Sequence, residues 1–130
     1  PVTSSDLYPT CLAAANLPLH PAQHRDGLDL RPMLEGAKSL GRDALFWHYP
    51  HYNQHPSAVP SSVIRKGDWK LIESFDPEGL ELYHLGRDLS ETTNLAKKEP
   101  SKLAELRKEL AAWRKEVDAE RMEPNPAHRP

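Results

Sequence analysis

Histidine and tyrosine side chains cluster near the middle of the sequence. His48, Tyr49, His51, Tyr52 and His55 fall within eight consecutive positions. Neutral imidazoles can bind a metal ion, imidazolium groups can pair with an anion, and tyrosines supply stacking area and hydroxyl donors. Because this segment holds no carboxylate or cysteine to complete a metal site, the pattern favours contact with an anion or a sugar. The alternative is a polar loop whose histidines hydrogen-bond to backbone groups.

His48 and His51 are the candidate substrate-binding residues of this cluster. Strand alternation sends His48 to one side and Tyr49 to the other. Pro50 cannot donate a ladder hydrogen bond, so it ends the strand, and His51 is free to turn toward the side of His48. Two imidazoles that converge on a cleft could donate hydrogen bonds to the oxygens of an anion or a sugar. The sequence assigns no catalytic residue and no metal ligand.

The single cysteine, Cys11, excludes an internal disulfide and a multi-cysteine zinc site. It lies in an alanine-rich run in which positions 10, 11 and 13–15 are small, with no basic side chain nearby in sequence. This setting predicts a buried, small hydrophobic side chain rather than a reactive thiol.

The segment Val63–Leu85 predicts three consecutive antiparallel strands. Tight reversals divide it at Gly67-Asp68 and at Asp76-Pro77-Glu78-Gly79. The pairs expected across these turns are Lys66 with Trp69 and Phe75 with Leu80. One face of the sheet then carries Ile64, Trp69, Leu71 and Leu82, and the other carries Val63, Ile72, Tyr83 and Leu85. Both faces are half apolar, so another element must cover each of them.

Further elements flank these strands. Ala44–Tyr49 predicts a fourth strand, placed at an edge because proline follows it. Pro100 opens a helix to about Ala119. Its apolar stripe consists of Leu103, Leu106, Leu110, Trp113 and Val117. Near the N-terminus, Ser4-Ser5-Asp6 caps a short helix that Asn16 stops, and a single helical turn is expected at Leu30–Leu34.

These elements predict an α+β fold: a small antiparallel sheet of about four strands packed by a long C-terminal helix, with a short N-terminal helix. Only one sheet cover is evident, and 38% of the 130 residues are hydrophobic while 13 are prolines. We therefore interpret the chain as a fragment of a longer protein and expect self-association through the uncovered face. Prolines near the C-terminus predict a flexible tail at 121–130.

The charge and hydropathy of the chain argue against two classes of partner. The net charge is -2, and 17 basic residues are interleaved with 19 acidic ones, which gives no electrostatic support for nucleic-acid binding. No apolar run approaches the length of a membrane span. We expect neither a nucleic acid nor a membrane as partner.

Four stretches follow one another along the chain in a recognisable order. They are S-S-D-L-Y-P-T-C-L-A-A-A-N-L-P-L at 4–19, D-G-L-D-L-R-P-M-L-E-G at 26–36, L-F-W-H-Y-P-H-Y at 45–52, and I-R-K-G-D-W-K-L-I with E-L-Y-H-L and N-L-A within 64–96. Together they resemble the C-terminal part of the formylglycine-dependent, arylsulfatase-like sulfatases of the alkaline phosphatase superfamily. The resemblance implies a fragment of a larger α/β sulfatase, in which 1–42 is the end of the large domain with connecting loops and 43–120 is the C-terminal subdomain of antiparallel sheet plus helix.

The resemblance implies a sulfuric ester hydrolase that uses calcium and a Cys or Ser in a C/S-x-P-x-R motif, converted to formylglycine. Cys11 is followed by Leu12-Ala13-Ala14-Ala15 and does not match that motif, so no catalytic residue is carried over. We expect no cofactor in this fragment and both calcium and formylglycine in the full-length enzyme. By resemblance, the partners are the chain's own upstream catalytic domain and, in the full-length enzyme, a sulfated small molecule or saccharide. The same resemblance implies a periplasmic or secreted enzyme.

Three functions remain open from the sequence. The first is the C-terminal portion of a sulfatase that hydrolyses sulfate esters, non-catalytic alone and helping to form the substrate pocket. The second is a non-catalytic module that binds an anionic saccharide. The third is part of a phosphate or phosphonate ester hydrolase of the same superfamily.

Overall fold

The chain divides into two compact units, the first Pro1–Asp43 and the second beginning at Ala44. The computed structural model describes residues 1–52, 55 and 58–123. Positions 53 and 54 of the histidine- and tyrosine-rich segment, positions 56 and 57 just after it, and most of the predicted tail, 124–130, lie outside the described residues. No helix among the residues described is long and apolar enough to cross a membrane.

The first unit begins with a capped helix. Thr3 precedes a 3-10 turn at Ser4–Asp6, which continues into α1, Leu7–Ala14. The cap is therefore Thr3, one residue before the predicted one, and its hydroxyl accepts a hydrogen bond from the Ser5 amide at 3.1 Å. Asn16 stops the helix as predicted, with φ 55°. The single predicted turn is α2, Arg31–Leu34.

A buried carboxylate ties the first unit together. Asp6 is fully buried and accepts hydrogen bonds from the amides of Thr3 and Leu28 at 2.8 and 2.9 Å. The Arg42 guanidinium donates to both carboxylate oxygens. These donors hold the pKa of Asp6 at about 2, with the Arg42 hydrogen bond the largest cause. The loop passes so close that a Cβ on Gly27 would lie 2.2 Å from the Ser5 carbonyl oxygen.

Cys11 corrects one sequence prediction, because its side chain is exposed rather than buried. The buried residues of α1 are Pro9 and Ala13, four positions apart on one face of the helix. Cys11 lies two positions from each and so faces the opposite way. The run of alanines concealed this periodicity, because small residues occupy both faces.

The second unit is built on a four-stranded antiparallel sheet. Its strands are β1, Ala44–Tyr49; β2, Ser61–Lys66; β3, Trp69–Phe75; and β4, Glu78–His84. They are ordered β1-β2-β3-β4, which places β1 at an edge as predicted. Lys66 pairs with Trp69 across Gly67, which has φ 56°. This confirms the predicted first turn.

The second turn differs from its prediction. Phe75 pairs with Glu78 instead of Leu80, so Asp76 and Pro77 alone form the reversal, joined by a cis peptide bond. Glu78 and Gly79 are the first residues of β4. Because the error is two residues, the alternation of side chains is preserved and the predicted faces of the sheet are correct.

One long helix packs on the sheet. This helix, α3, runs from Pro100 to Glu116, three residues short of the predicted end. The hydrophobic core of the unit consists of Ile64, Leu71, Leu82, Leu106 and Leu110, each no more than 1% exposed. Trp113 stacks on Phe46 of β1, with ring centroids 4.9 Å apart. Val117, the last residue of the predicted stripe, lies beyond the helix and is half exposed.

The opposite sheet face is unevenly covered within the described residues. Tyr83 and Leu85 are buried, whereas Trp47 and Tyr49 at the edge strand are 46% and 47% exposed. The architecture confirms the predicted α+β fold of a four-stranded antiparallel sheet, a C-terminal helix and a short N-terminal helix.

Candidate functional site

A broad, open groove of about 2010 Å³ lies at one end of the sheet in the second unit. Antiparallel pairing brings the end of β1, the start of β2, the end of β3 and the start of β4 to this same end. The C-terminal half of α3 and residues 118–123, which we call the strap, form another wall. Both predicted site residues, His48 and His51, line the groove.

His48 is held by the protein at both ring nitrogens. Its Nδ1 lies 2.7 Å from the hydroxyl oxygen of Ser62, which is fully buried, and its Nε2 lies 2.6 Å from the backbone carbonyl oxygen of Glu120. A carbonyl can only accept, so Nε2 donates to it. In the neutral ring Nδ1 is then an acceptor, and the Ser62 hydroxyl donates to it. The edge of the ring also faces Phe75, with centroids 5.7 Å apart.

His51 lies in a different environment. It is exposed, and its ring makes an edge contact with Tyr49 at a centroid distance of 5.6 Å. Tyr52, also exposed, donates its hydroxyl hydrogen bond to the Asp76 carboxylate at the β3–β4 turn. That hydrogen bond raises the pKa of Tyr52, because the phenolate would face a negative charge. The third histidine of the cluster, His55, is exposed.

Charges of both signs line the groove. Glu73 on β3 accepts from Arg107 at 3.0 Å and forms an ion pair with Arg114 at 2.7 Å, so one carboxylate serves both arginines of α3. The other acidic groups include Asp76 and Glu78. A groove of mixed charge favours directional hydrogen bonding to a polar ligand over attraction by net charge.

The residues that sequence reasoning missed are those that fix His48. Ser62 and Glu120 are separated from it by 14 and 72 positions in sequence. Arg114 donates to the same Ser62 hydroxyl at 3.4 Å. Sequence periodicity places Ser62 two residues before Ile64, on the helix-facing side of β2. That placement could have identified Ser62 as a hydrogen-bonding residue, because a serine buried on that side must find a partner.

Comparison with known proteins identifies the class to which this fold belongs. A protein of Bacteroides thetaiotaomicron, solved as a proposed sulfatase, superposes with a TM-score of 0.73 at 25% identity, over 93% of this chain and 27% of that one. A second protein, solved in complex with its substrate D-glucosamine-2-N,6-O-disulfate, gives a TM-score of 0.64 at 28% identity, over 86% and 23% of the two chains. The sheet and its helix are those of the C-terminal portion of a sulfatase.

The family follows from the sequence itself. The profile of the family described as N-sulphoglucosamine sulphohydrolase, C-terminal, matches residues 2–119, and the chain belongs to this family. A sulfatase from Formosa agariphila is 36% identical over an alignment of 126 positions, which covers 86% of this chain and 23% of that protein. The chain thus spans about a quarter of the length of these relatives. The resemblance drawn from the four sequence stretches is confirmed.

Proposed function

We propose that the chain is the C-terminal portion of an enzyme that hydrolyses sulfate esters, that it is not catalytic alone, and that its groove forms part of the substrate pocket. The observation that carries this proposal is the groove itself. It places an exposed imidazole, His51, beside a hydroxyl-bearing Tyr52 and paired charges, within a chain that belongs to a sulfatase family. The His51 imidazole can donate to sulfate and sugar oxygens, and the Tyr52 hydroxyl, whose proton goes to Asp76, can accept from a sugar hydroxyl.

The catalytic portion is proposed to lie upstream, with formylglycine and calcium. Among the residues that the structure describes, no group of three or more His, Cys, Asp or Glu side chains is placed to hold a metal ion. Cys11 lacks the proline and arginine of the maturation motif. The residues present therefore do not fit either group, and we derive no catalytic step through them from this chain.

A sulfated saccharide is the substrate class that we propose. Support comes from the relative solved with D-glucosamine-2-N,6-O-disulfate, which matches 86% of this chain. Saccharides present many hydroxyl groups and little net charge apart from their sulfates. A groove with donors, acceptors and aromatic rings fits such a ligand better than a groove of one charge sign would.

The isolated chain is expected to release no sulfate from a chromogenic aryl sulfate or from sulfated glucosamine, because it offers no nucleophile of the maturation motif. The assay should be run beside the longer polypeptide that carries the chain, in which mass spectrometry looks for formylglycine. Turnover by the purified chain would contradict the proposal. Tight binding of sulfated glucosamine by the chain, together with a longer polypeptide that releases no sulfate, would favour a binding module instead.

In the complete enzyme, His51→Phe is expected to lower kcat/KM by about tenfold or more, the effect of losing one hydrogen bond to a charged group. Thermal stability should stay within about a degree, because the His51 ring is exposed and its one described contact is with Tyr49. His20→Phe, the same change at an exposed histidine of the first unit, is the control. Equal kinetics for the His51→Phe variant and the parent would show that His51 does not contact the substrate.

A further inference from the structure

We propose that His48 is a positioning residue: it latches the strap, residues 118–123, in place as one wall of the groove, and leaves the contact with substrate to His51. The inference rests on the proposed function for its catalytic consequence. The latch itself rests on contacts within the chain.

The strap begins with a reversal at the end of α3. Asp118 has φ 50°, and the Ala119 amide donates back to the Arg114 carbonyl at 2.9 Å. This is a left-handed C-terminal cap, which ends the helix and turns the chain away from the helix axis. All six residues of the strap, Asp118 to Glu123, line the groove.

A single directed chain of hydrogen bonds joins the helix, the sheet and the strap. Arg114 of α3, fixed by its ion pair with Glu73, donates to the Ser62 hydroxyl of β2. Nε2 of His48 on β1 donates to the Glu120 carbonyl of the strap, and in the neutral ring Nδ1 then accepts from that hydroxyl. A guanidinium can only donate and a carbonyl can only accept, so with a neutral His48 ring every bond of the chain runs in the same direction, from Arg114 to Glu120.

This arrangement separates the roles of the two histidines. Both nitrogens of His48 are engaged within the protein, so in this arrangement the ring has no polar atom to offer a ligand. His51, three residues further on, is exposed at the same groove. His48 therefore fixes the position of the strap as a wall of the groove, and His51 is the histidine that remains available to contact the substrate.

The first test measures the imidazole tautomer in the full chain. Nitrogen-15 NMR is expected to show His48 with its proton on Nε2, and Ser62→Ala is expected to change that signal, because Nδ1 loses its donor. A parent protein whose His48 carries the proton on Nδ1 would overturn the proposal. So would a Ser62→Ala variant whose His48 signal is the same as that of the parent.

The second test measures release of the strap by tryptic cleavage after Arg121, a bond within it. His48→Phe keeps the ring contact with Phe75 but removes both hydrogen bonds, so cleavage should accelerate about fivefold, the population change that one ordinary hydrogen bond produces. His48→Gln, whose amide can still donate to the Glu120 carbonyl, should remain near the parent. His51→Phe is the matched control and should leave the rate unchanged.

The outcomes separate this inference from the proposed function. Equal cleavage rates in His48→Phe and the parent would overturn the latch, whatever the complete enzyme does. Should His48→Phe fail to fold, Ser62→Ala gives the same readout, because it weakens the latch and leaves the ring in place. In the complete enzyme, His48→Gln should retain more of kcat/KM than His48→Phe, whereas His51→Phe should lose it. Equal losses of kcat/KM in the two His48 variants would show that His48 contacts the substrate directly.

Discussion

Leu110→Ala is expected to lower the free energy of unfolding of the second unit by about 2–5 kcal/mol. Leu110 is fully buried, and it packs where α3 meets the sheet, among Ile64, Leu71, Leu82 and Leu106. Its truncation removes apolar contacts and leaves a cavity that the facing strands, held by their own hydrogen bonds, cannot fill. The loss is large because a domain of ordinary stability has only about 5–15 kcal/mol in total.

Urea unfolding followed by tryptophan fluorescence measures this effect, since Trp69 and Trp113 both pack against the core. The matched control is Leu89→Ala, the same chemical change in the same unit at a side chain that is 79% exposed. The control should lie within about 0.5 kcal/mol of the parent. Equal destabilisation by the two substitutions would show that α3 does not seat Leu110 in the core.

Much of the second unit could be predicted from the sequence because its signals are local. Gly67 marks a turn that needs a positive φ, and Pro100 marks the first turn of a helix. Alternation along the strands then assigns each side chain to a face of the sheet. The assignment is correct even at the second turn, which was predicted to end two residues too late. The exposed position of Cys11 was missed for the converse reason, since α1 has no clear apolar face to read.

The features that could not be predicted are contacts between distant residues. Asp6 meets Arg42 across 36 positions, and His48 meets Glu120 across 72. No local sequence pattern predicts such a pair, because many residues along the chain could chemically serve as the partner of a given charged or polar side chain. The histidine cluster predicted a site, but only the fold shows that both ring nitrogens of His48 are hydrogen-bonded within the chain while His51 is exposed.

Asp6→Ala is expected to destabilise the first unit by about 3–5 kcal/mol, because it leaves the Arg42 guanidinium without its carboxylate while that side chain is only 11% exposed. The amides of Thr3 and Leu28 also lose their acceptor. Amide exchange of Leu30 reports on this unit, since that amide donates to the Thr10 hydroxyl of α1 and keeps its acceptor in the variant. Asp29→Ala, which removes a more exposed carboxylate paired with Arg31, should have a clearly smaller effect.

The same carboxylate predicts how stability depends on pH. The pKa of Asp6 falls from its ordinary value of 3.8 to about 2 in the folded protein, chiefly through the Arg42 hydrogen bond. A lowered folded pKa means that the unfolded chain binds a proton first, so this contribution is complete above about pH 5 and is lost as pH falls through 4 toward 2. Exchange of the Leu30 amide, corrected for the pH dependence of its intrinsic rate, should therefore accelerate on acidification in the parent. In Asp6→Ala this part of the pH dependence should be absent, because position 6 no longer carries a carboxylate. A parent and a variant with the same acid profile would show that Asp6 does not couple protonation to the folding of this unit.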